Sequence, residues 1–364
     1  MEKIKALVVD DTIVYRKIVG DVLKQIPGVE VIGTANNGKI ALSKIASLKP
    51  DLITLDIEMP EVSGIEVLEQ LATMPDAPVT VMLSTLTQQG SEMTIKALEL
   101  GAFDFVPKPS DGKMAENMQK VKDAILPIIQ GYKRRKSTQL KIRDRIRQKS
   151  SPEKTPLPKT APPQVKRSAI RSKAEIIGIG ISTGGPNALT KMIPMLPAEL
   201  KAPVLIVQHM PPLFTASLAT SLNNKSNLTV KEAEDGDILE PGRVLIAPGG
   251  KQMKIVAAAD GIARKIKITD DPPENSCKPS VDYLFRSIAQ HYVGRATGVI
   301  MTGMGSDGSK GLVQMKNNGS MIIAQNEETC TVYGMPKEPI ESGVADMVVP
   351  LERIAQEIVK TVIS

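Results

Sequence analysis

The chain has 364 residues, 41% hydrophobic and 24% charged, a balance that excludes a collagen, a wholly disordered chain and a disulfide miniprotein. No stretch approaches the roughly 18 consecutive apolar residues of a membrane span, and the opening MEKIKALVVDD has too short an apolar run for a secretory leader. The formal charge of +6 is unevenly placed: residues 131–173 hold fifteen Lys/Arg against two acids, which leaves −7 for the rest of the chain.

In chain order, the first part alternates short β-branched runs with amphipathic stretches. The runs are IKALVVD, VEVIGTA, LITLDI, PVTVMLS and FDFVP; TIVYRKIVGDVLKQI and GKIALSKIASL lie between them. Such alternation predicts a parallel sheet wrapped by helices, a flavodoxin-like (βα)5 unit over residues 1–125. Continuous apolar runs suit parallel strands, because both faces of the sheet are covered.

The predicted strand ends carry polar residues that the core does not need. Asp10 and Asp11 end the first strand, Asp56 the third with Glu58 two residues on, Ser84 the fourth, and Lys108 follows the fifth. In a doubly wound sheet all of these open on one edge, where ligands bind. Clustered carboxylates repel each other, so a cation is expected, and Mg²⁺ suits them as a hard ion that takes carboxylates, waters and a phosphoryl oxygen. An Asp carboxylate can accept a phosphoryl group; Ser84 and Lys108 are placed to hydrogen-bond and pair with it. Here the chain resembles a receiver domain of two-component signalling, through VVDD (8–11), LDIEMPEVSG (55–64), MLSTLT (82–87) and FVPKP (105–109). The resemblance implies phosphorylation of Asp56 by a histidine kinase, Mg²⁺ among Asp10, Asp11, Asp56 and Glu58, and Ser84 with Phe105 as the switch pair.

Residues 126–173 read as a basic linker. Prolines and lysines, as in SSPEKTPLPKTAPPQ, cannot build a core, so a semi-extended connection is expected from Gly131 to Lys173. LKIRDRIRQ is compatible with a short extension of the preceding helix. The segment is read as a solvated linker in preference to an anion-binding tether.

From about Ala174 the alternation resumes: AEIIGIGIS, APVLIVQH and ATGVIMTG are strands, and GPNALTKMIPML, PPLFTASLATSLN and PSVDYLFRSIAQHY are helices. The runs LTVKEA, RVLIAP, MKIVAAA and RKIKIT are split by DG, PG and GG turns, which predicts antiparallel hairpins. The fold class expected for 174–364 is therefore a doubly wound, mostly parallel α/β domain with an antiparallel hairpin region.

Gly180-Ile181-Ser182-Thr183-Gly184 fits G-x-S-x-G between a strand and a helix, a context that exposes a serine beside a helix N-terminus. A serine nucleophile needs a base. The chain has two histidines, and His209 ends the next strand while His291 lies in the polar part of a helix. Asp307, in GMGSDG after ATGVIMTG, falls on the same sheet edge. Ser182, His209 and Asp307 form a candidate triad in the order Ser…His…Asp, unlike the Ser…Asp…His of an ordinary α/β-hydrolase. A rival is the run Gly303 to Gly308, which also fits G-x-G-x-x-G, with Glu327 and Glu328 about 20 residues on, as in a dinucleotide site. Asp307 inside that loop would repel a pyrophosphate, and the rival leaves Ser182 and His209 unexplained.

A receiver followed by STGG (182–185), QHMPP (208–212), PSVDYLF (279–285) and MTGMGSDG (301–308) is similar to the chemotaxis protein-glutamate methylesterase (CheB) family over nearly the whole chain except the linker. The resemblance implies hydrolysis of glutamate methyl esters on chemoreceptors with release of methanol, and deamidation of receptor glutamines. It implies Ser182 as nucleophile, His209 as base, Asp307 as orienting acid, and the backbone N–H groups of Thr183 and Met304 as oxyanion hole, with no metal in the ester chemistry. Methyl-accepting chemoreceptors are the implied substrate and a chemotaxis histidine kinase the phosphodonor. Membrane contact is expected only through the receptors, and the location is cytoplasmic. Many relatives carry histidines where this chain has Gln252 and Cys277. Cys277 and Cys330 stand far apart without a CxxC partner, so neither a disulfide scaffold nor a thiolate zinc site is expected. With nine aromatics and no Trp, nucleic acid is not an expected partner. The alternatives are a DNA-binding regulator using the basic segment, although no helix-turn-helix pattern follows residue 174, and an adaptor whose esterase is silent.

Overall fold

Alternating apolar strands and amphipathic helices produce two parallel sheets. The computed structural model describes residues 3–109, 112–149, 172–259, 261 and 263–363, with backbone alone for 134–149. The first half runs β1 (Ile4–Val9), α1 (Ile13–Lys24), β2 (Val29–Ala35), α2 (Gly38–Leu48), β3 (Leu52–Asp56), α3 (Gly64–Leu71), β4 (Val79–Thr85), α4 (Gln88–Glu99), β5 (Asp104–Lys108) and α5 (Met114–Lys149). Its strands pair in the order β2-β1-β3-β4-β5, all parallel. The order reverses between β1 and β3, which opens the crevice where such sheets bind ligands. Every residue of β3 is buried, as a central strand covered on both faces requires. A capping box starts α3, with Ser63 accepting from the Glu66 N–H and the Glu66 carboxylate accepting from the Ser63 N–H. Gly64 follows because a Cβ there would lie 2.0 Å from the Asp56 carbonyl oxygen.

The second half runs β6 (Ile176–Ile181), α6 (Gly185–Met192), β7 (Val204–Gln208), α7 (Phe214–Asn223), β8 (Thr229–Glu232), β9 (Arg243–Ile246), β10 (Gln252–Ala257), β11 (Arg264–Thr269), α8 (Val281–His291), β12 (Ala296–Ile300), α9 (Ser309–Asn317), β13 (Met321–Gln325), α10 (Lys337–Glu341), β14 (Met347–Val349) and α11 (Leu351–Ile363). Seven strands form a parallel sheet in the order β14-β13-β12-β6-β7-β9-β8. β6 is thus central, with β12 on one side and β7 on the other.

Two expectations from sequence need correction. Only β10 and β11 form an antiparallel hairpin; β8 and β9 pair parallel and extend the main sheet. The segment 233–242 between them crosses over beside the hairpin, where Ile238 bridges to Lys265, so its DG and PG turns bend a crossover instead of closing a hairpin. The connection expected to be extended from Gly131 is helical through Lys149. Its Lys, Arg, Gln and Leu are good helix formers, and no proline intervenes between Gly131 and Lys149. The Pro-rich run 150–171 lies outside the described residues.

The halves share apolar contact. Ile95 and Leu98 of α4 join Phe214, Leu218 and Leu222 of α7 in one buried cluster. Phe105 stacks on Phe214 with ring centroids 4.6 Å apart. Ser91 Oγ and Ser217 Oγ hydrogen-bond at 2.7 Å, and Asn187 donates to the Ala102 carbonyl at 3.1 Å. Glu99 pairs with Lys225 and accepts from Ser221. Met304 and Val332 pack with α5 residues such as Ile125 and Ile129.

Candidate active site and phosphoryl-acceptor site

Parallel register builds the first site. The last paired residues of β6 and β7 are Ile181 and Gln208, so Ser182 and His209 follow as neighbours at the ends of adjacent strands. The Ser182 carbonyl accepts from Gln208 Nε2 at 3.0 Å and from the Gly185 N–H at 2.7 Å, which fixes the tight turn into α6. Gly303, after β12, lies against the nucleophile: a Cβ there would come 2.8 Å from Ser182 Cβ.

Asp307 is the electrostatic anchor. It is buried, and its carboxylate accepts from the Val281 N–H at 2.7 Å and the Asp282 N–H at 3.2 Å at the start of α8. Ser280 Oγ at 2.9 Å and Asn275 Nδ2 at 2.8 Å also donate to it. A helix N-terminus favours an anion. His209 Nε2 lies 2.9 Å from Asp307 Oδ2. Burial alone would raise the Asp307 pKa, but the histidine and the backbone donors hold it down at about 2. For His209, burial opposes the charge, while the hydrogen bonds to Asp307 and Cys277 overcome it and push the imidazole up to about 9.

In the neutral ring the carboxylate holds the proton on Nε2, so Nδ1 carries the free lone pair. In this structure Nδ1 faces Cys277 Sγ at 3.7 Å, and Ser182 Oγ has no hydrogen-bond partner among the described residues. The backbone N–H groups of Thr183 and Met304 donate no hydrogen bond among the described residues. The structure thus brings His209 and Asp307 into direct contact, and places Ser182, Thr183 and Met304 beside them.

Sequence reasoning missed the tight turn between β11 and α8 that completes this site. Glu274 and Cys277 exchange backbone hydrogen bonds across Asn275 (φ 50°) and Ser276 (φ 62°), a turn left-handed at both central positions. It aims Asn275 at Asp307 and Asp282 and turns Cys277 toward His209. An Arg286–Glu274 ion pair ties it to α8. The available signal was the asparagine, which tolerates the left-handed region.

The second site lies at the crevice of the first sheet. Carboxylate oxygens of Asp10, Asp11 and Asp56 come within 4.8 Å of one another. Lys108 Nζ bridges Asp10 and Asp56 at 2.7 Å each. Burial pushes the Asp56 carboxyl up to about 6, Lys108 pulls against it, and Asp10 adds to the rise. A crowded set of hard oxygens fits a small divalent cation such as Mg²⁺. Glu58 is exposed and its carboxylate stands outside the cluster. Ser84 is buried, but its hydroxyl is engaged with α4: it donates to the Gly90 carbonyl at 3.1 Å and accepts from Thr94 Oγ1 at 2.6 Å. Phe105 is half-buried against Phe214.

Fold and site together define a two-domain α/β protein, with a His209–Asp307 pair beside Ser182 in one sheet and a carboxylate cluster in the other. The CheB methylesterase family matches residues 177–358, and the response regulator receiver domain family matches residues 6–120. The chain is 58% identical to a protein of Desulfotalea psychrophila named protein-glutamate methylesterase/protein-glutamine glutaminase, over 100% of this chain and 99% of the relative. A Bacillus subtilis protein of the same name is 42% identical over 99% of this chain and 98% of its own. The solved CheB methylesterase catalytic domain of Thermotoga maritima is 43% identical, covering 52% of this chain and 99% of that domain with a TM-score of 0.50. The chain belongs to the CheB methylesterase family and carries the receiver domain at its N-terminal end.

Proposed function

We propose that this chain is a phosphorylation-activated protein-glutamate methylesterase and protein-glutamine glutaminase acting on chemoreceptors. The observation that carries the reading is the 2.9 Å His209–Asp307 contact, anchored at the α8 N-terminus and set beside Ser182 by strand register. Ser182 Oγ attacks the ester carbonyl while His209 Nδ1 takes its proton. The oxyanion rests on the Thr183 and Met304 N–H groups. The C–OCH₃ bond breaks, His209 returns the proton, and methanol leaves; water then opens the acyl-enzyme by the same route. With a glutamine side chain, ammonia leaves instead.

Control follows from what the receiver touches. Asp104 of β5 lies close to the side chain of Thr183, and Met304 packs against the cluster that holds α5, so both oxyanion residues border the receiver. Asp56 accepts a phosphoryl group from a histidine kinase: its carboxylate oxygen bonds phosphorus as the P–N bond to the donor imidazole breaks. Asp10, Asp11 and Asp56 would hold Mg²⁺, which would supply charge neutralisation there. Turning Ser84 toward the phosphoryl group removes its bonds to Gly90 and Thr94, which loosens α4 against α7 and opens the cleft.

The test is methanol release from methylated chemoreceptor membranes. Wild type should release methanol and Ser182→Ala should fall to background. Equal release from both would overturn the serine mechanism, and a folded wild type inactive on a competent receptor would favour the adaptor reading.

A further inference from the structure

We infer that the turn between β11 and α8 and the histidine His209 together form a binding site for a soft divalent metal, with zinc as the bound ion. The metal would be held by Cys277 Sγ and His209 Nδ1. The effect on catalysis rests on the esterase reading above; the site itself does not.

The geometry fits on three counts. With Zn–S near 2.3 Å and Zn–N near 2.0–2.1 Å, a tetrahedral ion needs its sulfur and nitrogen about 3.6 Å apart. Here Sγ and Nδ1 are 3.7 Å apart. The tautomer of the neutral ring is correct, because Asp307 holds the Nε2 proton and leaves the Nδ1 lone pair facing the thiol. This is the carboxylate–histidine–metal arrangement that fixes ring orientation in metal sites, with Asp307 as the outer partner. Both ligands are also held in advance: His209 by Asp307, which donors from α8 and Asn275 fix in turn, and Cys277 by the left-handed turn that Arg286 ties down through Glu274. The sequence shows no metal pattern because the ligands come from a strand end and a turn 68 residues apart.

Binding releases the thiol proton and, below about pH 9, the Nδ1 proton of the charged imidazole, and forms S–Zn and N–Zn bonds, leaving two positions for water. It takes the lone pair that His209 needs to accept the Ser182 proton. Zinc is therefore a reversible inhibitor that acts at the base and leaves the receiver untouched.

The experiment uses the full chain with Co²⁺ as spectroscopic probe and Zn²⁺ as competitor. Wild type and Cys330→Ser should show a thiolate-to-cobalt charge-transfer absorption that Zn²⁺ removes; the receiver carboxylates have no sulfur and give none. Cys277→Ala should lack the band, and its half-inhibitory Zn²⁺ concentration should rise at least about tenfold. Cys277→His should lose the band but keep zinc inhibition, since imidazole replaces the thiolate as ligand. No band in wild type, or an unchanged band in Cys277→Ala, overturns the site. If the band depends on Cys277 while no variant releases methanol, the metal site stands and the hydrolase reading fails.

Discussion

Asp307 and His209 set the pH behaviour at the scale of single residues. Burial and the hydrogen bonds of His209 leave its pKa at about 9, above the ordinary 6.5, and only the neutral ring can take the Ser182 proton. Ester hydrolysis in chelator-treated buffer should therefore climb with pH up to about 9; a plateau from pH 6.5 would contradict it. Cys277 is one of the groups that raise this pKa, so Cys277→Ala should move the limb to lower pH. The stability signs differ. The raised histidine stabilises the fold fully below its unfolded pKa, and that part is lost as pH rises through about 9. The depressed Asp307 stabilises it above the usual carboxylate pKa of 3.8, and that part is lost as pH falls towards about 2. Asp307→Asn should leave the wrong tautomer and lower kcat by about 10³–10⁴-fold, as seen by methanol release. The neighbours Asp10, Asp11, Asp56 and Lys108, and the pair His209 and Asp307, were legible because polar side chains stand at strand ends; Glu58, two residues past its strand, lies outside the cluster. Asn275 was not legible, because a residue in a turn between β11 and α8 carries no spacing relative to Asp307.

At the scale of elements, close approach of loops makes the site. A Cβ on Gly303 would meet Ser182 Cβ at 2.8 Å and Met335 Sδ at 2.3 Å, so the loop must shift. Gly303→Ala should lower kcat by about 10²-fold, the effect of a displacement near 1 Å, with the circular-dichroism spectrum retained. The α4–α7 contact should govern basal activity. Ser91→Asp places a carboxylate against Ser217 in a buried contact, which costs about 1–3 kcal/mol and favours the separated arrangement. Methanol release without phosphodonor should then rise about tenfold or more, and stimulation should shrink; an unchanged basal rate would count against closure through this face. Strand identity was readable from apolar runs, but pairing was not. The turn residues around β8 and β9 are the same whether a chain reverses or crosses over, and only tertiary contact decides. The α5 extension was hidden because high positive charge suggested an extended chain, whereas local propensity favoured helix.

At the scale of the whole molecule, one interface joins the receiver to the second domain. Asp104 stands on that boundary, half-buried between Phe105 and Thr183. Desolvation pushes its carboxyl up to about 7, against the bond from the Phe105 N–H and the nearby Thr183 side chain. A raised carboxyl pKa means the docked arrangement favours the neutral acid, so docking weakens as pH rises through about 7. Asp104→Asn removes that charge and should lower basal methanol release at pH 8 while leaving stimulation by phosphodonor; a higher basal rate would contradict it. The sequence showed both chemistries but not their contact. The stacking of Phe105 on Phe214 and the Ser91–Ser217 hydrogen bond depend on how two separately readable sheets dock, which no local pattern encodes.

The central claim is that phosphorylation at Asp56 controls hydrolysis at Ser182. The direct measurement is methanol release from methylated chemoreceptor membranes by wild type and Asp56→Asn, each with and without a small-molecule phosphodonor and Mg²⁺. Release that rises with phosphodonor in wild type and stays at the basal rate in Asp56→Asn is the expected result. Equal stimulation of both would show that control does not pass through Asp56.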